Sequence, residues 1–465
     1  MKIALSEALE AFEALDVRAL GEALPATFGV STDTRTLAPG DVFVALCGER
    51  YDGHAFVAAA LAKGAAGLIV SDAAHVPPQA PALVVADTTR AYLALGGVAL
   101  RQSRAQVAAV TGSTGKTTTK AFLAQLLEAV APGRVAATVG NENNEIGVAK
   151  LLLSLPSDAV FAVVEFGARH YGEIEPLATA AQPHVGVLTN VGDAHLEIMG
   201  SRERLAETKW GIFATGARAV LSVVDAVSRE RAPAIAGPVV WAALEGEGDD
   251  VELRTNDVLV RLVARDRLEI RTSDAFAAFA TDVAVPGDHN RRNAVAAAAA
   301  AFALCVMPAD IAHGLATLAL PPGRYERIKL GDFDAIYDAY NASMSGTLAT
   351  LASFGREHAR RRIAVLGSMA ELGPDSPEMH ARVGRAAAAS GLTALLAGGD
   401  YADDLVRGAR EGGLAASAIV TFADNAGAVA WLRAHVVAGD LVLLKGSRRY
   451  RLEEILSGLQ ATHAG

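Results

Sequence analysis

Along this chain, short apolar runs are followed again and again by segments in which apolar residues recur every three or four positions. VFVAL, GLIV, QVAAV, FAVVEFG, HVGVLTN and ARAVLSVVD predict strands, and DAIYDA, RIAVLG, ALLAGG, AIVTF and LVLLKGS extend the series. The patterns through Tyr92 and Leu95, and through Phe122, Leu123, Leu126, Leu127 and Val130, predict helices. This alternation predicts an α/β fold with largely parallel sheets. From about Val239 to Asp282 the segments DVLVRLVA and RLEIRT alternate, predicting an antiparallel edge or insertion. The run AVAAAAAAFALCVM from Ala294 is too short and too alanine-rich to span a bilayer and predicts a buried helix.

PPGR at Pro321–Arg324 punctuates the chain. The predicted domains are 1–105, 106–320 and 321–465, in keeping with 465 residues at roughly 150 per domain. At 51% hydrophobic and 20% charged residues, the chain is rich enough in apolar side chains for packed cores. Its formal net charge of -10 argues against a nucleic-acid or anionic-membrane partner. Glu7, Glu10 and Glu13 interrupt the N-terminal stretch where a secretory signal needs an apolar core, so a cytoplasmic protein is expected. The two cysteines, Cys47 and Cys305, have no metal-ligand spacing and are expected to be buried, reduced thiols.

The chemistry begins at TGSTGKTTTK, a glycine loop between a strand and a helical pattern. Backbone N–H groups of Gly112, Ser113, Thr114 and Gly115 suit phosphate oxygens, Lys116 a terminal phosphate, and Thr117, beside Thr118, Mg2+. Such a loop usually recruits a second metal-binding acid from a neighbouring strand end, where Glu165 stands; His195 ends the next strand. A lone histidine there is at least as often structural.

Taken with these, GVSTDTR, GDVFVALCGERYDGHAF, GNENNEIGV, EFGARHYGEI, TNVGDAHLEIMGS, GDHNRRN, PPGRYERI, DAYNAS, VLGSMAELG and LLKGSRRYRLEEI resemble the Mur ligases in order and spacing. These are ATP-dependent, amide-forming enzymes of peptidoglycan synthesis, and NENNEIG points to the branch that adds D-alanyl-D-alanine to a UDP-muramoyl-tripeptide. The resemblance implies an N-terminal UDP-binding domain, a central P-loop ATPase domain and a C-terminal Rossmann-like domain. It implies ATP and Mg2+, small-molecule substrates, a monomer, and no membrane insertion or nucleic acid.

It further implies that Thr117 and Glu165 hold Mg2+, that His195 serves a second metal, and that Lys209 is carbamylated, with Lys116, Glu165, His195 and Lys209 as the catalytic set. His289 and Asn293 would read adenine, and Arg324, Asp338, Tyr340 and Asn341 would face the nucleotide. Ser31, Thr32, Asp33, Arg35 and Asp52–His54 (with Gly53), together with Asn141, Asn143 and Asn144, would take the UDP-peptide. The plain alternatives are a solvated Lys209, a surface-paired Arg324 and a simple turn at Asp52–Gly53.

Four places depart from the pattern. Ser343 and Met344 replace Asn-Pro, GVAKLLL lacks a proline, Ser368 replaces an aspartate, and Trp210–Gly211 replaces Gly-Glu after Lys209. A ligase for another amine or acid therefore stays open, as does a non-ligating P-loop protein, although the latter has no use for Lys209, His195 or a closing third domain. The DTR and DGH features favour a UDP-sugar peptide over a folate-like acid.

Overall fold

The computed structural model describes residues 2–48, 51–192 and 196–461. Among the described residues the fold is carried by three large sheets, each largely parallel, beside one two-stranded hairpin. In the first, the six strands run in the order Ile3–Ala4, Thr27–Ser31, Asp41–Val44, Gly67–Val70, Ala82–Val84 and Arg18–Leu20, with only the two outermost antiparallel to their neighbours. The helix Thr88–Arg101 follows, started by Asp87, whose carboxylate accepts from the N–H groups of Thr89 and Arg90. It packs on the helix Glu145–Leu153 of the next unit.

The central sheet has nine strands, beginning Val135–Ala137, Phe161–Glu165, Gln106–Thr111, Val185–Leu188 and Arg218–Ser222. The chain leaves Gln106–Thr111 toward Val135–Ala137 on one side and leaves its neighbour Val185–Leu188 toward Arg218–Ser222 on the other, so the crevice beyond the C-terminal ends of these two strands is a topological switch point. Val239–Leu244 and Val258–Val263 continue the parallel part, and Arg267–Arg271 and Phe276–Ala280 add antiparallel strands. The expected antiparallel edge is thus confined to the pairing from Val258–Val263 outward. VVWAAL, buried throughout, is an interior parallel strand, because a run with no polar face must be covered on both sides.

The alanine run forms the helix Asp288–Ala303, with Ala294–Ala301 buried. Its small side chains let it lie between the helix Lys116–Val130 and the strand Val239–Leu244, which brings its N-terminal turn to the glycine loop. Cys47 and Cys305 are free thiols, but both are exposed, contrary to expectation. Each sits where the chain leaves its element: Cys47 in the two-stranded hairpin Cys47–Gly48/Tyr51–Asp52, Cys305 just past the alanine helix at φ 65.

The third sheet runs Glu326–Leu330, Phe333–Tyr337, Asp440–Lys445, Arg361–Gly367, Ala394–Gly398 and Ile419–Phe422, with only the first pair antiparallel. Among the described residues no helix is long and apolar enough to cross a membrane.

Candidate active site

A cleft of about 1210 Å³ lies between the C-terminal edge of the central sheet and the third unit. The glycine loop forms its floor. Gly112 and Gly115 take φ of 145 and 81, and a Cβ on either would strike the Thr189 hydroxyl or the Asn293 amide oxygen. Ser113 donates its N–H to the Asn190 carbonyl oxygen (2.9 Å) and Thr114 to the Asn190 side-chain oxygen (3.2 Å), which pins the loop to the next strand. No side chain caps the helix Lys116–Val130, so its first N–H groups are left to face an anion. The Lys116 ammonium rests on the Gly112 carbonyl at 2.8 Å, and burial pulls its pKa down.

Glu165 ends its strand beside Val110 and is 1% exposed. Its Oε1 accepts from Thr117 Oγ1 (3.2 Å) and Asn143 Nδ2 (2.8 Å), while Oε2 is buried without a hydrogen-bond partner. A buried carboxylate oxygen whose lone pairs meet no hydrogen-bond donor is costly, and beside a threonine hydroxyl it forms the oxygen pair a hard cation prefers. These residues therefore fit Mg2+. Thr118 is buried behind the loop.

Lys209 lies in the last turn of the helix Arg202–Trp210 and is 1% exposed. Burial, reinforced by the Lys116 charge, drops its pKa well below the ordinary lysine value, opposite to a solvated lysine. His195 lies outside the described residues.

The third unit closes the cleft. Arg324 reaches Thr117 Oγ1 at 3.4 Å and stacks over Tyr340, 4.2 Å from its ring centroid. Its Nε is buried with no hydrogen-bond partner, and burial lowers its pKa. The next residue, Tyr325, turns left-handed at φ 55 and donates its N–H to Asp338 Oδ1. Burial by itself would raise the Asp338 pKa, but the Lys445 ammonium at 3.0 Å and the Thr350 hydroxyl at 2.6 Å hold it down. Lys445 also donates to the Asn341 carbonyl at 2.9 Å. His289 joins the units through Ser353 Oγ at 3.0 Å, and Arg356 pairs with Asp288 at 2.5 Å. Asn293 Oδ1 accepts from Thr119 Oγ1.

Asn141, Asn143 and Asn144 line the cleft; Asn144 caps the helix Glu145–Leu153 by accepting from Gly147 N–H. Ser31, Thr32, Asp33, Arg35 and Asp52–His54 lie away from it, in the first unit. There Asp33 and Arg35 form a bidentate pair. Asp52 caps the turn at Gly53 by accepting from His54 N–H, so the simple turn is present. His54 is buried with both ring nitrogens engaged, Nδ1 on Asp52 and Nε2 accepting from Ser71 N–H. Sequence reasoning missed Asn190, Thr350, Ser353 and Lys445. Asn190 and Lys445 lie in quoted segments at strand ends, the only local signal they carried.

Three family models match the chain: the Mur ligase family catalytic domain over residues 28–127, the Mur ligase middle domain over 110–301, and the Mur ligase glutamate ligase domain over 323–448. The UDP-N-acetylmuramoyl-tripeptide–D-alanyl-D-alanine ligase of Escherichia coli is 34% identical over 441 residues, covering 93% of each chain. That of Mycobacterium tuberculosis is 34% identical over 478 residues, covering 93% of this chain and 92% of its own. Among solved structures, MurF from Acinetobacter baumannii superposes with a TM-score of 0.82 at 29% identity, covering 99% of both chains. MurF ligase from Thermotoga maritima in complex with ADP reaches 0.78 at 27% identity, covering 94% of this chain and 98% of that one.

Burial takes the His289 pKa from 6.5 down to about 4. Below 6.5 the unfolded chain takes up a proton that the native site refuses, so stability is present above that pH and lost as pH falls toward 4. The expected loss is on the order of 3 kcal/mol. Thermal midpoints measured from pH 7 to pH 4 should fall less steeply in His289→Asn than in wild type; equal slopes would remove His289 as their source.

Proposed function

Given that the chain belongs to the Mur ligase family, we propose that it adds D-alanyl-D-alanine to a UDP-N-acetylmuramoyl-tripeptide, converting ATP to ADP and phosphate. The observation that carries this reading is the cleft itself. An uncapped phosphate loop, a buried acid with an orphan oxygen, and a docked third unit bearing Arg324 converge where two anions would have to meet.

A carboxylate oxygen of the tripeptide attacks the γ-phosphorus, and the bond from that phosphorus to the bridging oxygen of ADP breaks. The product is an acyl phosphate. The free amine of D-alanyl-D-alanine then attacks the acyl carbon, loses a proton, and expels phosphate as the amide forms. In this scheme the backbone N–H groups of Gly112, Gly115 and the first helical turn, with the Lys116 ammonium, hold the triphosphate, the Ser113 and Thr114 N–H groups expected to join them being engaged by Asn190, and Arg324 carries a second charge toward it. Thr117 and Glu165 would hold Mg2+, which shields the phosphate charge when bound. His289 and Asn293 would face the adenine, with Asp338, Tyr340 and Asn341 on the same side. Ser31, Thr32, Asp33, Arg35 and Asp52–His54 would serve the UDP end, and Asn141, Asn143 and Asn144 the peptide. Further closure of the third unit over bound substrates would keep water from a labile acyl phosphate.

The depressed pKa of Lys209 supports the carbamate reading, since only a neutral amine captures carbon dioxide. The resulting anion would supply oxygen ligands beside Lys116.

Phosphate release from ATP should require both UDP-muramoyl-tripeptide and D-alanyl-D-alanine when each is omitted in turn. Release indifferent to the amine would remove the ligase reading, and release with another amine alone would select a different second substrate. Lys209→Ala should lose about 100-fold in activity and regain part of it with added short carboxylates; full activity without them would exclude the carbamate.

A further inference from the structure

Lys120 lies one helical turn beyond Lys116, yet its side chain does not go to the phosphate loop. With 7% of that side chain exposed, Nζ donates to the carbonyl oxygens of Thr138 (2.7 Å) and Gly140 (3.2 Å) and stands 3.8 Å from the orphan Oε2 of Glu165. Thr138 and Gly140 immediately precede Asn141–Asn144. That connection has little packing of its own: Val139 is 73% exposed, and a Cβ on Gly140 would meet nothing within 4 Å.

The contacts close a ring. Thr138 Oγ1 accepts from Glu165 N–H at 2.9 Å, Asn143 Nδ2 donates to Glu165 Oε1 at 2.8 Å, and Glu165 Oε1 accepts from Thr117 on the same helix as Lys120. A buried ammonium is expensive unless oxygens surround it, so this lysine fixes the carbonyls it touches as firmly as they fix it. Two lysines on one helix thus face two different loops: Lys116 the glycine loop, Lys120 the asparagine loop.

We infer that Lys120 is a positioning residue that couples nucleotide binding on the helix Lys116–Val130 to acceptor binding at Asn141–Asn144. The inference rests on the ligase reading for the identity of the acceptor. Lys120 acts through the loop backbone and Glu165. Nucleotide held at the glycine loop restrains the helix, the lysine restrains the start of the asparagine loop, and the acceptor meets a loop already ordered. The coupling is reciprocal by linkage.

The test measures the dissociation constant of UDP-muramoyl-tripeptide by calorimetry, with and without a non-hydrolysable ATP analogue and Mg2+. In wild type the analogue should tighten acceptor binding by about fivefold or more, the usual lower range of such coupling. Lys120→Met should bring that ratio below about twofold, and Lys120→Arg should restore most of it. A merely structural lysine would lower the melting temperature and weaken both ligands while leaving the ratio unchanged. An unchanged ratio in Lys120→Met, or no coupling in wild type, would overturn the inference. Should Lys120→Met not fold, Lys120→Gln is read by the same ratio. Ligation by wild type is assayed in parallel, so a failure of the ligase reading appears there and not in the ratio.

Discussion

A carboxylate can attack a triphosphate only where their mutual repulsion is cancelled, and the architecture of the cleft follows from that constraint. At about 4 Å, two unit charges repel by about 4 kcal/mol even at an effective dielectric of 20, and a triphosphate carries several. The groups on hand are cations that rest on neutral oxygens: Lys116 on a glycine carbonyl, Arg324 on a threonine hydroxyl and an aromatic face. Burial depresses both pKa values. Lys445, by contrast, is neutralised by Asp338 and braces the segment up to Asn341. The two units divide the work, the central sheet fixing the loop and the third unit adding charge across the cleft.

The departures from the family pattern read differently once packed. Ser343 caps the helix Met344–Phe354 by accepting from Gly346 N–H, the service an asparagine gives at that position. Met344 stands at the first helical residue, where a proline is tolerated because its N–H has no intrahelical partner; the methionine buries its side chain instead. Ser368 ties two strand ends together, donating to the Gly398 carbonyl and accepting from Tyr401 N–H. Local geometry is thus kept at each of these three positions while the side-chain chemistry offered to a ligand changes.

Much of the fold was legible because its signals are local. Strands buried on both faces are continuous apolar runs, helices show their period, and a glycine loop between them has few other uses. The alanine helix was readable for the same reason. What escaped was set by neighbours distant in sequence. VVWAAL is apolar throughout, as an interior strand must be, but the point at which the sheet turns antiparallel is set by how Val258–Val263 pairs with Arg267–Arg271. The exposure of Cys47 and Cys305 depends on a hairpin and a helix end. Lys120 looks like any helix lysine until Thr138 and Gly140 are folded against it, and Thr350 and Lys445 acquire meaning only around Asp338.

The central claim is that the γ-phosphate passes to a carboxylate. If the terminal carboxylate of UDP-muramoyl-tripeptide is labelled with oxygen-18 and the reaction is run with ATP and D-alanyl-D-alanine, one labelled oxygen should appear in the released phosphate, because the acyl–oxygen bond breaks as the amide forms. Phosphate without label from the acceptor, formed alongside the amide, would contradict the acyl phosphate and the account built on it.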